Sequence, residues 1–267
     1  MSIDTYFNKS IKQIITEFPI IEKILDDYGI GCGACGEGLC LLRDIVDIHN
    51  VDTKTEKELL TRISKVIFPN RDIEFPISKR KQLISREIKY SPPMKKMVNE
   101  HVLIKRWLAL IPKVIESIDL EKEEDLELIN KGLDFIRTYA DKYHHAKEED
   151  EAFKYFDENL AIIKVIRNDH RKVRSHVKKM LEAIEAKDKD KLAEHLVAYK
   201  EILPEHIKKE DEILYPWMDR NLNITQIGQL YSKFNEIDSN YGTIPEKHLK
   251  FIEDLETKYN SIKVHEH

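Results

Sequence analysis

Four stretches of the chain repeat apolar residues every three or four positions, the spacing of one helix face. The first runs through Met94, Met97, His101, Ile104, Leu108, Ile111 and Ile115. The second carries Leu126, Ile129, Leu133, Ile136, Ala140, His144, Glu148 and Glu151. The third carries Ile163, Ile166, His170, Val173, Val177, Met180 and Ile184, and the fourth Leu192, Leu196, Tyr199, Leu203, His206, Glu210, Ile213 and Trp217. Short polar connections join them, so the pattern predicts an all-α fold with an antiparallel four-helix bundle over residues 94–220.

Upstream, Ile11, Ile14, Ile15, Phe18, Ile21, Ile24 and Leu25 keep helical spacing, with Pro19 interrupting, and a second short run passes through Leu41, Leu42, Ile45, Val46 and Ile48. Between them lies the glycine-rich stretch Gly29 to Gly38. Residues 1–65 therefore read as a small helical domain folded around a cysteine loop. Pro69, Pro76, Pro92 and Pro93 mark residues 66–93 as a linker. Residues 221–267 read as a C-terminal helical extension with a break from Gly242 to Pro245 and no legible role.

Composition sharpens this picture. In 267 residues, 35% are charged and 41% hydrophobic, with only 8 glycines and 9 prolines, which favours helices. A formal net charge of -5 argues against a nucleic-acid partner. No apolar run approaches the ~20 residues of a membrane span, and Met1 to Lys12 lacks an apolar signal core, so a cytoplasmic protein with no membrane partner is expected.

The informative feature is which polar residues interrupt the apolar stripes. His101, His144, Glu148, His170, His206 and Glu210 stand where leucine would be expected. Burying imidazoles and carboxylates is costly unless they are paired or bind a metal. His144 and Glu148 are four apart, one turn along the same face, and His206 and Glu210 repeat the arrangement. Residues 144–150 align without gaps to residues 206–212, and each such segment follows a helix with a single stripe histidine, His101 or His170. Two helix pairs, each supplying His plus His-x-x-x-Glu, suit two metal ions. Mixed imidazole and carboxylate ligation with open positions favours iron, with manganese and zinc left open by residue type. The chain has neither a His-Glu-x-x-His zinc motif nor the Glu-x-x-His repeat of ferritin-like bundles.

Other candidates carry less. Cys32, Cys35 and Cys40 lie within nine residues, which favours a thiol site: a reversible disulfide or an additional metal, one thiol short of a four-cysteine site. On α-helical spacing His145 turns away from His144, towards the surface or behind the ligands. His195 borders the fourth stripe as a reserve ligand, and His49, His248, His265 and His267 read as surface residues. Pro204 should kink the fourth helix. Tyr139 and Tyr143 are candidates to lie above the metals.

The bundle resembles the hemerythrin-like domains, on Glu100-His101, His144-x-x-x-Glu148-Glu149, Asp169-His170 and His206-x-x-x-Glu210 followed by Leu214-Tyr215-Pro216. That resemblance implies a non-haem di-iron centre. Oxygen-carrying members use a fifth histidine four residues past the lone one on the third helix; here that position is Arg174, and His176 lies well off the stripe. A four-His, two-Glu set is similar to the proteins for repair of iron centres, which also begin with a small cysteine-containing domain. Residues 7–50 resemble it in Phe7-Asn8-Lys9-Ser10-Ile11 and the run to Tyr28-Gly29, but Cys32-x-x-Cys35 replaces the adjacent cysteine pair typical there. The resemblance implies a role in the nitrosative and oxidative stress response, with NO, O2 or peroxide bound or reduced and apo iron–sulfur proteins as partners; the oligomeric state, a homodimer included, is left open by the sequence. A sensing module without turnover and a labile iron donor or store remain alternatives; whether the protein is an enzyme is left open.

Overall fold

A computed structural model describes residues 3–30, 40–69, 71 and 89–262. Cys32, Cys35, His265, His267 and most of the 66–93 connection lie outside the described residues. In chain order the helices are α1 (Ile3–Phe7), α2 (Ile11–Glu17), α3 (Ile20–Asp26), α4 (Leu42–Ile48), α5 (Thr53–Ile67) and α6 (Pro92–Ser117). They continue with α7 (Glu123–Asp134), α8 (Ala161–Glu185), α9 (Lys189–Lys209), α10 (Tyr215–Asn221), α11 (Ile224–Tyr241) and α12 (Ile244–Ile262). Two π-helical segments, Phe135–His145 and Lys147–Ala152, prolong α7, and a third, Glu210–Leu214, prolongs α9. The described residues contain no strand, only an isolated bridge between Ser10 and Leu41. The fold is all-α, as the periodicity requires.

The chain forms two compact units. The first comprises Met1–Lys89, Asn159–Val165 and Lys209–Asn221; the second comprises Tyr90–Glu158, Ile166–Lys208 and Leu222–His267.

In the first unit, Ser10 opens α2 with a reciprocal cap: its hydroxyl accepts from Gln13 N, and the Gln13 side chain accepts from Ser10 N. Asp52 caps α5 by accepting from Lys54 N and Thr55 N. Ile11, Ile14, Ile21, Leu25, Leu42, Ile45, Leu59 and Ile63 form the core. Ile11 N donates to Cys40 O and Leu42 N to Lys9 O, tying α2 to the start of α4. Cys40 itself is half-buried. Arg220 donates to the Asp47 and Ile48 carbonyls at the end of α4, where Asn50 N also donates to Asp47.

His49, expected on the surface, is half-buried, and burial lowers its pKa from 6.5 to about 4. The folded unit therefore holds this imidazole neutral while the unfolded chain protonates it. The stability it contributes is complete above pH 6.5 and is lost as pH falls towards 4, about 2 kcal/mol after allowance for partial exposure. Urea unfolding at pH 7 and pH 4.5 should show that loss in the wild type and a smaller one in His49→Gln. Equal losses in both proteins would assign the acid sensitivity elsewhere.

The second unit is the bundle of α6, α7 with its π-helical continuation, α8 and α9. Short connections at 118–122 and 186–188 make α6/α7 and α8/α9 antiparallel pairs. Trp107, Ile111, Leu133, Phe135, Met180, Leu196 and Tyr199 fill its core. Trp107 lies so close over α7 that a methyl group at Gly132 would come within 2.5 Å of its ring, which is why glycine fits there. The C-terminal helices, whose role periodicity left blank, belong to this unit. Asn223 and Gln226 form a capping box at the start of α11, and Gly242, at φ +55, turns the chain into α12. Ile252, Leu255 and Tyr259 join the bundle core, Arg106 of α6 holds Glu256 through two hydrogen bonds of 2.9 and 2.7 Å, and the Ser117 and Tyr259 hydroxyls are 2.8 Å apart. α9 runs helically through Pro204.

Candidate metal centre

The bundle brings its polar stripe residues together in an apolar interior. His101 of α6, His144 and Glu148 of the π-helical segments, His170 of α8 and His206 of α9 are all buried. The Nε2 atoms of His101 and His144 are 2.9 Å apart. His170 Nε2 lies 3.4 Å from a Glu148 carboxylate oxygen. Glu210 is wholly buried at the start of the segment that prolongs α9, one turn past His206 in the chain, and falls within the first unit.

His145 corrects an expectation. An α-helix turns ~100° per residue, which would send His145 outward if His144 points inward. The segment is π-helical instead, with i→i+5 bonding and more residues per turn, so neighbouring side chains diverge less. His145 is 4% exposed, and its ring stacks on His170 at 3.9 Å between centroids. His145, His170 and His206 each present a ligand atom within 4.8 Å of the others.

Carboxylates stand behind the imidazoles. His144 Nδ1 donates to Glu100 at 2.9 Å, His145 Nδ1 to Asp141 at 3.3 Å and His170 Nδ1 to Glu149 at 2.5 Å, while His206 Nδ1 faces Asp169 at 3.7 Å. Such an arrangement fixes the tautomer and leaves Nε2 for a metal. Arg174, standing where a fifth histidine would fall on the third helix, donates to both Asp141 and Glu149 at 2.8–2.9 Å. Burial pushes Asp141 up, but His145 and Arg174 outweigh it and hold its pKa down at about 2. Burial, reinforced by the neighbouring His170, drives His145 well below its ordinary value, with Asp141 opposing, so the ring is neutral as a ligand must be.

These donors fit a metal on their chemistry. Two imidazole nitrogens bound at right angles to one ion lie ~3.0 Å apart, given ~2.1 Å bonds, close to the His101–His144 separation. Borderline nitrogen and hard oxygen donors together suit iron, manganese or zinc.

The lysine of the first His-x-x-x-Glu segment is equally unexpected. Lys147 is wholly buried; its Nζ donates to Glu100 and to Asp238 of α11, and lies 3.5 Å from the Tyr143 ring centroid. Asp238 also accepts from the Tyr143 hydroxyl at 2.8 Å and pairs with Lys96. Tyr143 is thus committed to Asp238, and Tyr139 stacks on Phe135. His195 pairs with His176 at 3.4 Å between Nδ1 atoms, and His248, read as a surface residue, is buried beside the Thr138 hydroxyl at 2.7 Å. For Lys147, Tyr143, His195 and His248 the hydrogen-bonding partner comes from another helix, so no run of sequence signals these placements.

A cavity of ≈ 290 Å³ lies between the second, third and fourth bundle helices, lined by Ala140, Asp141, His145, Val173, Arg174 and Tyr199 among others.

Residues 92–218 match the family model described as hemerythrin HHE cation binding domain. An uncharacterized protein of Mycobacterium bovis, and uncharacterized proteins of two strains of Mycobacterium tuberculosis, are 22% identical to this chain over 149 residues, covering 52% of it. The match spans 58% of the length of those relatives. No solved structure matches the chain. No helix among the described residues is long and apolar enough to cross a membrane.

Proposed function

We propose that the chain is a hemerythrin-like protein holding two irons in its bundle, with His101, His144, Glu148, His170, His206 and Glu210 as ligands. The single observation that carries this reading is the row of buried imidazoles whose Nδ1 atoms face carboxylates, an expensive arrangement with no packing purpose. The cation-binding family match over the same residues supports it. The internal repeat of His-x-x-x-Glu supports equivalent roles for Glu148 and Glu210, which would hold the metals as carboxylate ligands shared between them if both are bound.

Bound iron would supply a Lewis-acidic, redox-active position for a small ligand. The chain's own residues exclude bulk water, hold the imidazoles in one tautomer and leave a cavity reaching His145, large enough for a diatomic molecule or peroxide. We infer that NO, O2 or peroxide binds here, with any reduction drawing electrons from an external reductant. The repair of damaged iron–sulfur or di-iron centres is the physiological role we favour, supported by the similarity of residues 7–50 to the cysteine-containing domain of that family, with Cys32, Cys35 and Cys40 as its thiol site.

Metal analysis by mass spectrometry, on full-length protein purified anaerobically without a metal-binding tag, is the first test; about two irons per chain are expected. Glu148→Ala should lose half or more of that iron, and a fully loaded variant would remove Glu148 from the bridge. Consumption of NO by the reduced protein would favour a reductase, whereas a spectral change without consumption would leave a binding or sensing module.

A further inference from the structure

Resting on the metal-centre reading above, we propose that His145 is a fifth imidazole ligand, which makes the two metal positions unequal. His101 and His144 serve one, and His145, His170 and His206 the other.

Three independent features carry this. The ligand atoms of His145, His170 and His206 converge within 4.8 Å. The π-helical backbone supplies the reason that two consecutive histidines both reach the interior. Finally, His145 is equipped as its neighbours are: Asp141, one turn earlier on the same helix, accepts a hydrogen bond from Nδ1–H, which leaves Nε2 for a metal. Asp141 is itself held in place by Arg174. Arg174 provides the link to the third helix. Where related proteins would place a fifth histidine, this chain has the residue that clamps Asp141 and Glu149 behind His145 and His170.

The consequence is an asymmetric pair. The position with three imidazoles has fewer sites left for an exogenous ligand. The ≈ 290 Å³ cavity, which touches His145, opens on that side. An incoming small molecule therefore meets Arg174 and Tyr199, which can donate hydrogen bonds to a polar guest, and the Asp141 carboxylate, which can accept one.

The test is anaerobic titration of metal-free, full-length protein with Co(II), followed by proton NMR. Each cobalt-bound imidazole contributes one strongly shifted, exchangeable N–H resonance. Wild type is expected to bind two Co(II) and to show five such resonances. His145→Phe keeps an aromatic ring against His170; it is expected to show four, and to hold one ion at least ~10-fold more weakly than wild type with the other unchanged. His145→Gln, with the same two readouts, serves if the phenylalanine variant does not fold by circular dichroism. A folded variant with two ions at wild-type affinity and an unchanged resonance count overturns the assignment while the metal centre stands. Wild-type protein that binds no Co(II) overturns the metal-centre reading, and the fifth ligand with it.

Discussion

Lys147→Met is expected to destabilise the bundle unit by about 3–5 kcal/mol, the cost of breaking a buried ion pair from one side. Lys147 is wholly buried and its Nζ sits between the carboxylates of Glu100 and Asp238, over the face of Tyr143. Methionine fills nearly the same volume, so little of the effect comes from a cavity. What remains is Glu100, 8% exposed, with one oxygen held by His144 Nδ1 and the other stripped of its partner. Asp238 loses less, because Tyr143 and Lys96 still reach it from a half-exposed position. Urea unfolding of the metal-free protein, followed by far-UV circular dichroism, measures the change. Lys131→Ala, which removes an exposed pair with Glu127, is the control and should stay within about 0.5 kcal/mol. A Lys147→Met loss no larger than the control's would mean that water reaches the pair and that the network is not a structural element. Glu100→Gln in the same background should recover part of the loss, since an amide tolerates the missing cation better than a carboxylate.

Removing the metals is expected to lower stability by about 5 kcal/mol. A ligand present at 100 times its dissociation constant stabilises the folded state by about 2.7 kcal/mol, and two ions bound only by the folded bundle would contribute twice that. For a domain of this size the melting point should fall by roughly 10–20 °C on chelation. The chain has two tryptophans, and Trp107 lies in the bundle unit's core while Trp217 lies in the other unit. Fluorescence melting of a Trp217→Phe variant therefore reports the bundle alone. A shift under 2 °C between the iron-loaded and chelated forms would mean that metal contributes nothing to the fold, which would count against a ligand set drawn from all four helices.

These effects separate what was legible along the chain from what was not. Helix stripes are legible because burial imposes a 3.6-residue period on each helix by itself. The same logic exposes His101, His144, Glu148, His170, His206 and Glu210: a polar residue on an apolar stripe is visible without knowing what faces it. The all-α fold and the His-x-x-x-Glu repeat are both properties of local spacing.

Everything that depends on a partner from another helix escaped. Lys147 looks like a solvated position between two ligands, and only Glu100 from α6 and Asp238 from α11 make its burial tolerable. Glu149 and Asp169 adjoin stripe residues in the sequence, but that they face His170 and His206 is decided only when α8 and α9 are in place. His145 was misjudged for a different reason. Its direction depends on a π-helical register that no residue type announces. Sequence by itself thus determined the helices, their apolar faces and the donors set into those faces, because each is a one-helix property. Tertiary structure alone decided which histidines converge, which carboxylates orient them and what the C-terminal helices hold, because those energies exist only between elements.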